Sequence, residues 1–407
     1  MSDGAKLWIV LARPDRLHAA LVACEAVAHR FPGGCHLLRE DSSWWERAQW
    51  KKYAQRFTSV RAWPRVETFR GLRDLPRLYR ETARRRQQMA DLPVDPRQDV
   101  FLVLGGTLSI ANAAISTHPK TFKILGLARH MYEDLIRPID RRRFRFTTSG
   151  WVQNRFVEPL ARVEPTINLR SRFRGGGDGA RFSRFAREIM EIYDVAIVFS
   201  NTGRDLPPHP SDRTLPARFP SIADLGDHRR SAEPSGIRRV VFFGTPFLLI
   251  HNLKPARYVE RLNQCLNYLR DYYAPRCRLI YRPHPAETSE ATELDLRGFV
   301  VEDDREVAEL YFLEHFSEIE AVYSVSSTVS RVALNNGLNA YCFWRCFDFP
   351  PAAAAFFESI MGDVPPEFEV RDLWVPPVAH LQPREPEADG ASFGTVLNRA
   401  LDLRGRR

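Results

Sequence analysis

The side chains best suited to chemistry in this 407-residue chain fall in three short stretches of its second half: Gly244-Thr245-Pro246, Arg282-Pro283-His284-Pro285 and Ser326-Ser327-Thr328. Each suits a phosphate. Gly244 allows a backbone to approach a ligand with no side chain in the way, and Thr245 adds a hydroxyl. His284, stiffened between Pro283 and Pro285, can give a hydrogen bond to a phosphate oxygen or a proton to a phosphate leaving group, although a lone His-Pro is usually only a turn. Arg282 brings a fixed positive charge beside it, or turns into a neighbouring layer. Ser326, Ser327 and Thr328 set hydroxyls at the start of a helix, where free N–H groups and the helix dipole favour an anion; the same residues also make an ordinary N-cap.

The elements that must position these residues alternate. After a strand at 239–243 come a helix at 256–273, a strand at 278–281, a helix at 307–315, a strand at 321–324, a helix at 328–335 and a strand at 340–343, read from apolar runs and helical spacing. His284 then lies roughly 40 residues from both Gly244 and Ser326, one strand–helix–strand period in each direction. In an open parallel sheet ligands sit outside the carboxyl ends of the strands, so the three loops are expected to converge on one site.

The first half alternates in the same way, with strands expected at 6–12, 36–38, 100–104, 122–127 and 195–200 and helices at 17–28, 72–89 and 182–193. Between 201 and 236 the composition turns to Pro, Ser, Asp, Arg and Gly with little periodicity, which reads as loop and linker. The predicted organisation is therefore an α/β protein of two Rossmann-like lobes: 1–200, a linker at 201–236, and 237–407, whose last apolar helix around 393–403 is expected to pack back across the molecule. A length of 407 residues, too great for one ordinary core, agrees.

Lys plus Arg exceed Asp plus Glu by 59 to 50, with arginine clusters at 84–86, 141–145 and 170–187. Such clusters suit nucleotide phosphates, an acidic glycan or an anionic membrane surface, or form a solvated basic face. No aromatic–basic interleaving or zinc-knuckle spacing points to nucleic acid. Six widely spaced cysteines with no CxxC pair read as reduced, mostly buried thiols. The apolar run at 7–12 is shorter than a signal-peptide core or a membrane span. These features fit a bacterial-type cytoplasmic protein, with peripheral contact at the inner face of the membrane as a further option. No HExxH, DxD or clustered Cys/His set is present, so no metal site and no cofactor are expected. The run Arg174-Gly175-Gly176-Gly177-Asp178-Gly179 lacks the Lys-Ser/Thr of a phosphate-binding loop.

The stretches 240–246, 279–287 and 323–330, closing with Leu334-Asn335-Asn336-Gly337, resemble the bacterial sialyltransferase and polysialyltransferase group, and more distantly capsular Kdo transferases and CDP-glycerol transferases. The resemblance covers roughly residues 238 to 346. It implies the GT-B fold with an interdomain cleft and transfer of a nonulosonic sugar, sialic-acid-like or Kdo, from a CMP-activated donor to a glycan or glycolipid acceptor of capsule or lipopolysaccharide type. His284 would contact the CMP phosphate and act as leaving-group acid, with Ser326 and Ser327 binding the same phosphate. The group also implies an acidic base in the first lobe. Glu133-Asp134 is the best match, although Leu135 stands where the pattern has glycine, and His130 is a reserve. Gly105-Gly106-Thr107 either contacts an acceptor or simply turns the chain into a helix. Two other readings stay open: a CDP-polyol phosphotransferase or other nucleotide-sugar transferase, and a non-catalytic scaffold of a polysaccharide assembly complex. The stereochemical outcome is open as well.

Overall fold

The computed structural model describes residues 4–11, 14–41, 45, 50–64, 75–105, 117–129, 132, 193–199, 213–225, 236–245, 255–284, 287, 293–303, 306–351, 353–354, 357–358, 366–377 and 391–406. The chain divides into two compact units, one formed by 1–220 with 391–407 and the other by 221–390.

The first unit holds a seven-stranded sheet. Its strands are β1 (Lys6–Leu11), β2 (Gly34–Asp41), β3 (Ser59–Pro64), β4 (Val100–Leu104), β5 (Phe122–Ala128), β6 (Val195–Phe199) and β7 (Thr214–Ala217). Their order in space is β3-β2-β1-β4-β5-β6-β7, with every pair parallel. β1, β4, β5 and β6 are buried along their whole length, as expected of strands covered on both faces. Among the described residues its helices include α1 (Leu17–Val27) and α2 (Leu75–Ala90). At the amino edge two aspartates satisfy backbone donors that parallel pairing leaves over. Asp99, just before β4, accepts from the N–H of Lys6 at 2.9 Å and from Trp8 Nε1 at 3.0 Å. Asp194, just before β6, accepts from the N–H of Lys123 at 2.7 Å.

The second unit holds β8 (Arg238–Phe243), α3 (Pro255–Tyr273), β9 (Cys277–Arg282), β10 (Phe299–Val301), α4 (Ala308–His315), β11 (Ile319–Ser324), α5 (Thr328–Asn335) and β12 (Ala340–Cys342). Its five parallel strands run β10-β9-β8-β11-β12. Strand periodicity divides the core cleanly. Val240, Phe242, Leu279, Tyr281, Tyr323 and Tyr341 face the α3 side with Leu262, Leu266 and Leu269, whereas Val241, Phe243, Ile280, Val322 and Cys342 face α4 and α5.

The last helix, α6 (Phe393–Asp402), belongs to the first unit. Phe393, fully buried, sets its ring edge-on to Phe199 of β6 at 5.1 Å. Arg30 donates to the carbonyl of Asn398 and pairs with Asp402. The span 201–236, read as linker from composition, also carries β7. That strand is an edge strand containing Pro216, which an edge tolerates because only one side of its backbone is paired. β3 and β10 are likewise edge strands that apolar patterning did not reveal. Of the helix expected at 182–193, residues 182–192 lie outside the described residues, and Tyr193 is buried just ahead of β6. All six cysteines are buried, unbridged thiols, and among the described residues no helix is long and apolar enough to cross a membrane.

Because Phe393 fills the face of β6, Phe393→Ala is expected to lower the stability of the first unit by about 3–5 kcal/mol, the usual cost of deleting a buried ring. The measurement is the shift in its urea unfolding transition, and a loss below about 1 kcal/mol would show that α6 is only loosely attached.

Candidate functional site

In the second unit β8 is the central strand, and the chain leaves it in opposite directions, towards β9 and β10 on one side and β11 and β12 on the other. The gap between the carboxyl ends of β8 and β11 is thus the switch point where such sheets bind ligands. Gly244-Thr245 follows β8, Pro283-His284 follows β9, and Val325-Ser326-Ser327 follows β11. Since these three strands are adjacent and parallel, their loops leave from one edge. Pairing continues past the strands: the N–H of Gly244 donates to the carbonyl of Arg282 at 2.9 Å, and the N–H of Phe343 donates to that of Ser324 at 2.9 Å.

Gly244 is glycine because there is no room for more. A Cβ there would overlap Glu287 Oε1 and stand 2.8 Å from Tyr281 Oη. Thr245 Oγ1 is buried beside the Tyr258 phenol of α3.

Arg282 is buried, with its guanidinium turned into the layer beneath the loop. It pairs with Glu302 at 3.3 Å, donates to the carbonyl of Glu306 at 3.1 Å and lies 4.0 Å from the centre of the Tyr311 ring. With these partners it braces the end of β9. His284 is half-buried, and burial lowers its imidazole below the ordinary value. At neutral pH it is therefore a neutral ring with one N–H to donate.

Ser327 is the N-cap of α5. Its Oγ accepts from the N–H of Val329 at 3.2 Å, and its own N–H donates to Ser324 Oγ at 3.1 Å. Ser324 Oγ in turn meets Ser330 Oγ at 2.7 Å, and Ser330 Oγ donates to the carbonyl of Tyr341 at 3.1 Å. This chain of hydroxyls fixes the start of α5 to β11 and β12. Ser326, half-buried, is the hydroxyl of the pair not spent on capping. At the other end of α5, Gly337 takes φ of 78° and Leu338 N–H returns to the carbonyl of Ala333 at 3.0 Å, a glycine-closed helix end. Asn336 Oδ1 accepts from the N–H of Ile222 at 2.6 Å. The Leu334–Gly337 stretch thus closes a helix and anchors the chain where it enters the unit.

Sequence reasoning gave Glu287 no role. Its carboxyl receives the Tyr281 hydroxyl on Oε2 at 3.0 Å, and its N–H donates to the carbonyl of His284 at 2.8 Å. Oε1 is buried with no hydrogen-bond partner. Burial raises this carboxyl to about 7, with the charge of Asp303 adding to the shift and hydrogen bonds from the His284 backbone and Tyr281 opposing it. The sequence carried no signal for this, because Gly244 reads equally well as a glycine that lets a ligand approach.

In the first unit Gly105 ends β4 with φ of 82°, and its N–H donates to the carbonyl of Gly126 at 2.9 Å. A tight turn accounts for this glycine. His18, in the first turn of α1, is buried; burial and then the charge of Arg16 lower it to about 3. Glu133, Asp134, His130, Gly106, Thr107, Pro285, the side chain of Thr328, and the runs 141–145 and 170–187 lie outside the described residues. Among the described residues, no group of three or more His, Cys, Asp or Glu is placed to hold a metal ion.

No protein-family model and no curated protein sequence matches the chain. Solved structures do resemble it. A Listeria monocytogenes protein provisionally assigned as a UDP-N-acetylglucosamine 2-epimerase superposes with a TM-score of 0.50 at 12% identity, covering 98% of this chain and 95% of that one. The UDP-GlcNAc 2-epimerase of Neisseria meningitidis bound to UDP-GlcNAc gives 0.49 at 13% identity, covering 98% and 100%. The α/β-galactoside α-2,3-sialyltransferase of Photobacterium phosphoreum gives 0.48 at 10% identity, covering 89% and 95%. At such identities the likeness is one of fold, and the fold is the α/β, two-Rossmann-unit architecture of the GT-B class.

Two measurements follow from the site itself. Ser327→Ala removes the cap of α5 and is expected to cost about 1 kcal/mol of stability in urea denaturation, whereas Ser326→Ala changes stability by less than about 0.5 kcal/mol. Folded Glu287 holds its proton up to about pH 7, whereas an unfolded glutamate loses it near 4.5. Its contribution is therefore fully present below about pH 4.5 and is lost as pH rises towards 7, by up to about 3 kcal/mol. Glu287→Gln should flatten that slope, and a variant with an unchanged slope would place its source elsewhere.

Proposed function

We propose that the second unit binds a CMP-activated nonulosonic sugar, sialic-acid-like or Kdo, and that the chain transfers this sugar to a glycan or glycolipid acceptor of capsule or lipopolysaccharide type. The observation that supports this most is the placing of the His284 imidazole at the same sheet edge as the Gly244 loop and the Ser326-Ser327 turn into α5, at the switch point of a parallel sheet. A CMP leaving group carries one phosphate. The positive end of α5, the Ser326 hydroxyl and the His284 N–H are the groups on that edge suited to it. Arg282 acts indirectly, by bracing the strand end that carries His284.

In the proposed reaction an acceptor oxygen forms the new bond to the anomeric carbon while the bond from that carbon to the CMP phosphate oxygen breaks. The acceptor proton passes to Asp134 or Glu133, and His284, as a neutral ring, donates a hydrogen bond to the departing phosphate. No metal or cofactor has a part in this reading. The basic clusters of the first half would hold an acidic or lipid-linked acceptor near a membrane surface.

The test is nucleotide release from purified protein offered CMP-sialic acid, CMP-Kdo, CDP-glycerol, UDP-GlcNAc and a GDP-sugar, with and without EDTA. Release of CMP from one CMP-sugar, insensitive to EDTA and reduced about 100-fold or more by His284→Ala, is the expected result. Turnover of only the CDP, UDP or GDP donors would replace the CMP reading. A chain inert towards all of them that captures other polysaccharide assembly proteins would be a scaffold. Co-sedimentation with anionic liposomes is expected at low salt and lost at high salt; no binding at low salt removes the membrane contact.

A further inference from the structure

Glu287 is an ionisable group at this edge that the proposed reaction leaves unused, and it is built into the edge. Three connections hold it. The carboxyl occupies the space that Gly244 leaves at the end of β8. Its Oε2 takes the hydroxyl of Tyr281, a buried β9 residue whose ring stacks on Phe242 of β8 at 5.8 Å and 9°. Its own turn is closed by its N–H, which donates to the His284 carbonyl at 2.8 Å. The loop that carries His284 is thus fastened to the Gly244 loop through this one side chain.

The surroundings favour an uncharged carboxyl. From β9 it meets the Tyr281 phenol, from α3 the Tyr258 phenol, from the segment after β10 the Asp303 carboxylate, and from its own loop the neutral His284. Oε2 accepts the Tyr281 hydroxyl, while Oε1, buried and without a partner, is free to carry the proton. A carboxylate in the same place would carry its charge out of water and beside the Asp303 carboxylate, with Oε1 unpartnered, a cost that the Tyr281 hydrogen bond offsets only in part.

We propose that Glu287 is a positioning residue: as a neutral acid it fills the space at Gly244 and sets His284 in place for a nucleotide phosphate, and ionisation of that acid releases His284. This rests on the phosphate reading of the site, but the positioning itself is a property of the ligand-free protein. Glutamine, neutral and nearly the same shape, can do what the neutral acid does. Aspartate, one methylene shorter, cannot reach, and alanine at 244 takes the space the carboxyl needs.

The test compares wild type, Glu287→Gln, Glu287→Asp and Gly244→Ala by calorimetric binding of CMP between pH 6 and 8.5. The phosphate of CMP titrates near 6 and weakens binding in its own way, so the quantity read is the ratio of Kd values at each pH, in which that contribution cancels. Glu287→Gln is expected to match wild type within about twofold at pH 6 and to bind about tenfold more tightly at pH 8, where wild-type Glu287 is mostly ionised. Glu287→Asp and Gly244→Ala are expected to bind at least tenfold more weakly at pH 6. Loss of binding in Glu287→Gln at pH 6, or a wild-type to Glu287→Gln ratio that stays flat with pH, overturns the proposal.

If wild type binds no CMP at any pH, the nucleotide reading fails and the positioning is read without ligand. In that case the His284 ring resonances of free wild-type protein should show an inflection near pH 7 that Glu287→Gln removes. The same inflection in both proteins, or none in either, overturns the proposal on its own.

Discussion

Parallel pairing is the constraint from which the rest of this structure follows. Every strand pair in both sheets is parallel. A parallel neighbour cannot be reached by a tight turn, so the chain must return across a face of the sheet, generally as a helix. In the second unit helices then cover both faces, and in each sheet every strand leaves by the same edge. In the second unit that edge collects the loops after β8, β9 and β11 although their residues are far apart in sequence. The site is a consequence of topology before it is a matter of particular side chains.

The same constraint explains how the interior treats its polar groups. At the amino edge of the first sheet Asp99 and Asp194, each just ahead of a strand, satisfy the N–H groups of Lys6 and Lys123 on the neighbouring strand. In the second unit the α3 face of the sheet is rich in tyrosine, and the buried hydroxyls of Tyr273 and Tyr323 meet each other at 2.8 Å. Arg282 is buried at the strand end, where Glu302, the Glu306 carbonyl and the Tyr311 ring offset the cost of removing a guanidinium from water. These contacts hold the carboxyl edge from below and leave the loops above it to meet a ligand.

Several residues at that edge serve the fold as directly as they could serve chemistry. Ser327 caps α5, Ser324 and Ser330 tie that cap to β11 and β12, and Gly337 closes the helix at its far end. Gly244 makes room for a carboxyl. Their roles are separable in principle, because Ser326 is not part of this internal bonding in the way that Ser327 is. What the edge offers a ligand is thus a small set of groups on a rigid base, the arrangement that favours fixed geometry at a reacting phosphate.

Much of the fold was legible in the residues themselves. Apolar runs such as Leu7–Leu11 and Val240–Phe243 read as central parallel strands and are buried, and the recurrence of strand and helix placed His284 one strand–helix–strand period after Gly244, whereas β10 adds a strand between His284 and Ser326. Edge strands escaped notice because an edge needs less apolar surface: β7 holds a proline and β10 is three residues long. The aim of a long side chain is not written in its neighbours either. Arg282 turned inward because Glu302, Glu306 and Tyr311, all more than 15 residues further along the chain, converge beneath it. Glu287 was visible in the sequence only as one more acidic residue after a His-Pro. Its proton, its place against Gly244 and its hold on the His284 turn arise from burial among groups that β8, β9 and α3 bring together, so tertiary structure alone could decide them.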